Sequence, residues 1–134
     1  MSLEAALLHA KSGMVSQGVR LNVVASNIAN ANSESSTYGG AYKAKKVIFS
    51  QVLDQETGQL LLKASGVADS DSAPVVRFDP GNPLANADGY VFGSNVNVVE
   101  EMADLATSTQ SYQSNINVAN KVNQLMSKTL QMGK

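Results

Sequence analysis

The chain has no cysteine and no tryptophan, three prolines, one histidine and little net charge. Without cysteine there are no disulfides, no thiolate metal sites and no cysteine nucleophile. The lone histidine, His9, has no second histidine or cysteine to share a metal or a triad with. It is expected to be an ordinary helix-surface residue. The net charge of −1 sets up no field for nucleic acid or an anionic membrane. Lys43, Lys45 and Lys46 form the one basic cluster, and with no stacking aromatics among them it reads as a solvated face. No apolar run approaches the ~20 residues of a membrane span. The N-terminus does not resemble a Sec signal, because Glu4, His9 and Lys11 interrupt it and no basic segment precedes it. The chain is therefore expected either to stay in the cytoplasm or to leave by a route without a cleaved signal.

Other chemistry fails on spacing. Asp69 and Asp71 resemble the start of a calcium loop, but Pro74 stands where the loop needs glycine, and no glutamate follows at the twelfth position. Glu100 and Glu101 are adjacent, so on a helix they do not face one site. The glycines form no phosphate-binding loop. No catalytic residue, metal, cofactor, nucleic acid or small-molecule substrate is expected.

What is present is a seven-residue period at both ends. Leu7, Met14, Leu21 and Ile28 form one series; Leu3, Ala10, Val24 and Ala31 form a second, interrupted by Gln17. Near the C-terminus, Leu105, Tyr112, Ala119 and Met126 form one series. Met102, Ile116 and Leu130 belong to the other, with Thr109 and Asn123 between them. Paired heptad stripes predict helices that pack along their length. The seam is expected at Leu7, Met14, Leu21, Val24 and Ile28 against Met102, Leu105, Tyr112, Ile116, Ala119, Met126 and Leu130.

The first helix is predicted from residue 3 to about 32, with Gly13 and Gly18 weakening it by roughly 1 kcal/mol each. Residues 33–41 are polar and glycine-containing, and predict a loop. From 42 to 97, short apolar runs (Val47–Phe49, Leu60–Leu62, Val75–Phe78, Tyr90–Phe92) alternate with turn signals at Thr57-Gly58, Pro80-Gly81-Asn82-Pro83 and Asp88-Gly89. These predict a small antiparallel β unit. Asn97 caps a second helix from 98 to about 132, with Glu100 three residues on as the capping-box partner. The expected fold is α+β: long N- and C-terminal helices in a coiled-coil-like pair, with a small antiparallel β unit inserted. The expected domains are 1–32 with 98–134, a loop at 33–41, and a β domain at 42–97.

The helices carry little charge. None occurs between Asp104 and Lys121, and Arg20 alone occurs between Lys11 and Glu34. Neutral polar side chains are buried against another protein more cheaply than charges. Asn22, Asn27, Asn30, Asn32, Ser111, Gln113, Asn115, Asn117 and Asn120 are therefore expected at subunit interfaces, the other reading of the same faces being a plain two-helix hairpin with polar surfaces.

The stretch Arg20-Leu21-Asn22-Val23-Val24-Ala25-Ser26-Asn27-Ile28-Ala29-Asn30-Ala31-Asn32-Ser33 resembles the N-terminal signature of the bacterial flagellar axial proteins. Further stretches resemble the proximal-rod members of that family: residues 41–49, Asp79-Pro80-Gly81-Asn82-Pro83-Leu84-Ala85, Gly89-Tyr90-Val91, residues 95–102 and Ser111-Tyr112-Gln113-Ser114-Asn115. A proline usual before the last helix is missing, and Phe92-Gly93-Ser94 leads into Asn95 instead. The resemblance implies a subunit exported by the flagellar type III apparatus and assembled in the periplasm into the proximal rod of the basal body, which carries motor torque. It also implies partners: other rod subunits and the adapter joining rod to membrane ring. The alternatives are another rod or hook protein, a cytoplasmic coiled-coil adaptor, and a small enzyme or ligand-binding β domain with helical ends. The adaptor requires charged flanks that are scarce here, and the ligand-binding domain requires a polar cluster in the β segment.

Overall fold

A computed structural model describes residues 2–133. The element order is helix α1 (Leu3–Ala29), strand β1 (Glu34–Ser35), a 3₁₀ turn (Tyr38–Gly40), β2 (Lys45–Leu53), β3 (Leu60–Asp69), β4 (Val75–Phe78), β5 (Tyr90–Gly93) and helix α2 (Val98–Met132). Two terminal helices enclose a small β region, an α+β fold. β2 and β3 form one two-stranded sheet, and β1, β5 and β4 form a second in that spatial order. The short connection between β2 and β3 allows only antiparallel pairing.

Helix α1 ends three residues before the sequence pattern does. The side-chain amide of Asn30 donates to the Ser26 carbonyl at 2.8 Å, the carbonyl its own backbone N–H also uses. Such local competition unwinds a helix end. Ala31 then bonds back to Ile28, and Ser33 bonds to Asn30 through both N–H and hydroxyl. The segment expected to be loop supplies a strand, because Glu34 and Ser35 pair antiparallel with Gly93 and Phe92. On the other side of β5, Val75 to Phe78 pair antiparallel with Gly93 to Tyr90. The α2 cap is formed as expected, with Asn97 Oδ1 accepting from Val99 N at 3.1 Å.

The chain divides into two compact units. One comprises residues 1–21, 47–66 and 106–134, the other 22–46 and 67–105. Each mixes helix with strand, since both helices and the β2–β3 hairpin contribute to both. The first unit takes α1 as far as Leu21 and α2 from Ala106 onward.

The core is built from small residues. The buried apolar side chains are Ala5, Ala10, Val24, Ala41, Ala44, Val91, Ala119 and Val122. Among the described residues, no leucine, isoleucine, methionine or aromatic residue joins them. Among the described residues, no helix is long and apolar enough to cross a membrane.

Candidate functional site

In the second unit, two asparagines fasten separate segments. Asn27 is fully buried. Its Nδ2 donates to the Lys45 carbonyl at 2.8 Å, and its Oδ1 accepts from Lys45 N at 2.9 Å and from the Tyr42 hydroxyl at 3.1 Å. Asn95 Oδ1 accepts from Ala44 N at 2.6 Å, and its Nδ2 donates to the Ser72 carbonyl at 2.8 Å. The two amides thus hold the chain on either side of Ala44, one from α1 and one from the segment leading into α2. Burying a polar amide is tolerable only when its hydrogen bonds are made, and here they are made to backbone. Asn27 is expected at a subunit interface; its side chain is instead consumed within the chain. Asn30 is likewise turned onto its own helix.

In the first unit, α1 and α2 approach closely at Gly13 and Asn115. A Cβ at Gly13 would lie 2.6 Å from Asn115 Nδ2 and 3.0 Å from its Cγ. The hairpin is tied to α1 by Ser16, whose hydroxyl donates to the Leu62 carbonyl at 3.1 Å, and by His9, whose Nε2 lies 3.2 Å from Gln59 Oε1. His9 therefore joins helix to hairpin turn rather than facing only solvent.

The buried positions of α2 match the expected seam only in part. Glu101, Ser108, Ala119 and Val122 are buried, with Asn115 half-buried among them, whereas Met102 and Leu130 are 59% and 72% exposed. Leu105 is at the margin, 37% exposed. Tyr112, Ile116 and Met126 are half-buried. On α1, Val24 is buried while Leu7, Met14, Leu21 and Ile28 are half-buried. Where backbones approach closely, small side chains occupy the contact and large ones are pushed to its edges. A pattern sought in large apolar residues traces those edges. Of the remaining expected interface residues, Asn22, Asn32, Gln113, Asn117 and Asn120 are exposed and Ser111 is half-buried.

The charges form small clusters rather than a pocket. Arg77 Nη2 donates to Glu34 Oε1 at 2.7 Å and to Asp79 Oδ2 at 3.3 Å, while Asn82 Nδ2 donates to Glu34 Oε2 at 2.8 Å. These contacts explain why residues 34–35 are held as strand. Lys45 Nζ donates to Asp69 Oδ1 at 2.9 Å. That hydrogen bond, with the accompanying charge attraction, holds Asp69 below the usual carboxylate value and Lys45 above the usual amine value. Among the described residues, no three of His, Cys, Asp or Glu gather as a metal site would require.

The surface is the chemically distinctive part. Large apolar side chains stand exposed on both units: Val15, Leu60 and Leu130 on the first, Val75, Phe78 and Val99 on the second. Gln17 Oε1 and Ser108 Oγ are buried without a hydrogen-bond partner. This distribution suits packing against protein.

Comparison with known proteins agrees. Residues 7–34 match the model for the flagella basal body rod protein family, and residues 87–132 match that for the C-terminal region of the flagellar basal body rod FlgEFG proteins. The chain is 44% identical over 126 residues to the flagellar basal-body rod protein FlgC of Salmonella typhimurium, covering 92% of each chain. It is 41% identical to FlgC of Escherichia coli O6:H1, again over 92% of each, and 39% identical to FlgC of Agrobacterium fabrum, over 97% of this chain and 94% of that one. The chain belongs to the FlgC family of flagellar basal-body rod proteins. The two family models take in most of α1 up to the start of β1, and β5 with α2. The FlgC relatives extend the match over the β2–β4 region between them.

Proposed function

We propose that this FlgC-family chain is a structural subunit of the proximal rod, exported through the flagellar type III apparatus. It assembles in the periplasm with other rod subunits and with the adapter that joins the rod to the membrane ring. It acts without catalysis, as part of a shaft that transmits torque. The observation that carries this reading is the mismatch between core and surface. The chain fully buries mainly alanine and valine and leaves many of its large apolar residues exposed. Each such residue, once covered, contributes about 1.5–3 kcal/mol, so several neighbours make a stiff polymer from individually modest contacts. The uncharged stretch of α2 from Leu105 to Asn120 belongs to the same design, because a charge there would have to be desolvated on assembly.

The test places charge on that helix without touching the fold. Asn117 and Asn120 are exposed, so the double substitution Asn117→Glu, Asn120→Glu should leave the free subunit folded and exported. In a cell whose own rod subunit has been deleted, it should fail to restore swimming, and isolated basal bodies should lack it. Normal swimming with the double variant would overturn the reading.

A further inference from the structure

We infer that Asn32 is a self-modifying site, at which the free chain converts an asparagine into aspartate and isoaspartate. The reaction is a ring closure between neighbouring residues. The backbone nitrogen of Ser33 attacks the side-chain carbonyl carbon of Asn32. A C–N bond forms, and the amide nitrogen leaves as ammonia, taking with it the proton of the attacking N–H. One molecule of solvent water then opens the five-membered imide at either of its carbonyls. Opening at the side-chain carbonyl restores the main chain with aspartate in place of asparagine. Opening at the main-chain carbonyl leaves the chain running through the former side chain, as isoaspartate. Both products carry a carboxylate where the amide was neutral.

Which asparagine reacts is decided by the residue that follows it and by the freedom of the segment. A β-branched neighbour crowds the attacking nitrogen. Asn22, Asn95, Asn97 and Asn117 precede valine, and Asn27 and Asn115 precede isoleucine. Asn82 precedes a proline, which has no N–H. Asn120 and Asn123 lie inside α2, where the backbone is held. The Asn30 amide is bonded to the Ser26 carbonyl, and Asn86 Oδ1 accepts from the N–H groups of Asp88 and Tyr90. Asn32 alone precedes serine, and no asparagine precedes glycine. It lies beyond the end of α1 and is exposed. Ser33 N donates to the Asn30 carbonyl at 3.1 Å. That single bond closes an unwound helix end, the kind of place where a fold opens locally at least cost.

The segment has no slack to absorb the product. Ser33 holds the Asn30 carbonyl with its N–H and its hydroxyl. Its own carbonyl accepts from Ser94 N at 3.2 Å, and Glu34 follows at once in register with Gly93. Isoaspartate lengthens the main chain by a methylene between these anchors. Strand pairing tolerates no such insertion, and the two residues of β1 are all that hold this edge of the sheet to β5. The new carboxylate also repels Glu34, two residues on. Conversion therefore loosens β1 from β5.

The purified full-length chain is aged in mildly alkaline buffer, folded and, in parallel, in urea. Trypsin releases Leu21–Lys43 whole, since Arg20 and Lys43 bracket it, and fragmentation places any mass change. The expected change is a gain of about 1 Da at Asn32 in both samples, slower in the folded one, with Asn22, Asn27 and Asn30 unaltered. A protein-isoaspartate methyltransferase should label the aged natural chain and not Asn32→Gln. Ser33→Val should slow the reaction by crowding the nitrogen. In the converted chain the Ser94 amide should exchange faster with solvent. Conversion in urea with none in the folded chain would overturn the site, as would a gain spread over the other asparagines. Unchanged exchange at Ser94 would overturn the loosening of β1.

Discussion

The side-chain amide of Asn27 pairs with the backbone of Lys45 in both directions, donating to its carbonyl at 2.8 Å and accepting from its N–H at 2.9 Å. A helix side chain here takes the place of a neighbouring strand for the first residue of β2. Asn27 itself is fully buried. Asn27→Ala should strand both Lys45 backbone groups, while the Tyr42 hydroxyl is left with Ser26 Oγ at 3.3 Å. At about 1–3 kcal/mol for each unsatisfied buried group, partly relieved by relaxation, the loss should be about 3 kcal/mol. Urea unfolding measures it. A loss under about 1 kcal/mol would show that the amide is not the fastening its geometry indicates.

The Lys45–Asp69 pair gives a pH signature. Asp69 is held below its ordinary value of 3.8 by the hydrogen bond from Lys45 and by its charge. A carboxyl depressed in the folded state stabilises it above the unfolded pKa, and the contribution disappears as pH falls through the folded value. Lys45 is raised above 10.5. Its contribution is complete below that value and is lost as pH rises through the folded one. Both groups are solvent-exposed, so the effect is small and screened by salt. Unfolding midpoints of the natural chain and Asp69→Asn should differ at neutral pH and low salt. They should converge in strong acid and draw together as salt is added. A difference unchanged from neutral pH to about pH 2 would rule out the pair as its source.

Much of this fold was legible in the residues. The α2 start at Asn97 follows from cap chemistry, and the four apolar runs from Val47 to Phe92 all fall in strands. Two features were hidden for physical reasons. Asn27 and Asn95 look like other asparagines of the helix ends, because a buried amide is distinguished only by partners that folding brings from 18 and 51 residues away. The inward face of α2 includes Glu101, Ser108 and Asn115, residues that no hydrophobic pattern would select. The seven-residue period was visible, but Met102 is exposed beside buried Glu101, and Leu130 lies past Met126, where every described residue of α2 is exposed.

Gly89 should be intolerant of any side chain. Its φ is +83°, in the left-handed region, and its N–H and carbonyl close the turn between β4 and β5 onto Asn86 and Asp79. A Cβ there would lie 2.9 Å from Phe78 Cε2 and 3.2 Å from Pro80 Cγ. Phe78 is itself set edge-on to Tyr90, with ring centroids 5.2 Å apart. Gly89→Ala combines backbone strain of about 1–2 kcal/mol with this overlap. The expected loss is at least 2 kcal/mol, measured by urea unfolding. Weakened amide-exchange protection across β4 and β5 would localise it, whereas an unchanged midpoint would mean that the turn can re-form without glycine.

The two glycines of α1 should respond in opposite directions. Gly18 has open space around a built Cβ, with nothing within 4 Å. Gly18→Ala should therefore stabilise the free chain by about 0.5–1 kcal/mol through helix propensity alone. Gly13→Ala gains the same propensity but places a methyl 2.6 Å from Asn115 Nδ2 and 3.0 Å from Cγ. Rotating the amide end relieves the first contact, but the second requires the helices to part or Asn115 to change rotamer. The net effect should be destabilising by about 1–2 kcal/mol. Trimming Asn115 to alanine removes the obstruction, so Gly13→Ala made in an Asn115→Ala background should change sign and stabilise. The resulting coupling energy, about 2 kcal/mol or more, is measured by a double-mutant cycle on thermal or urea unfolding. Additive effects, with no change of sign, would mean that α1 and α2 do not meet at these two residues in the free chain.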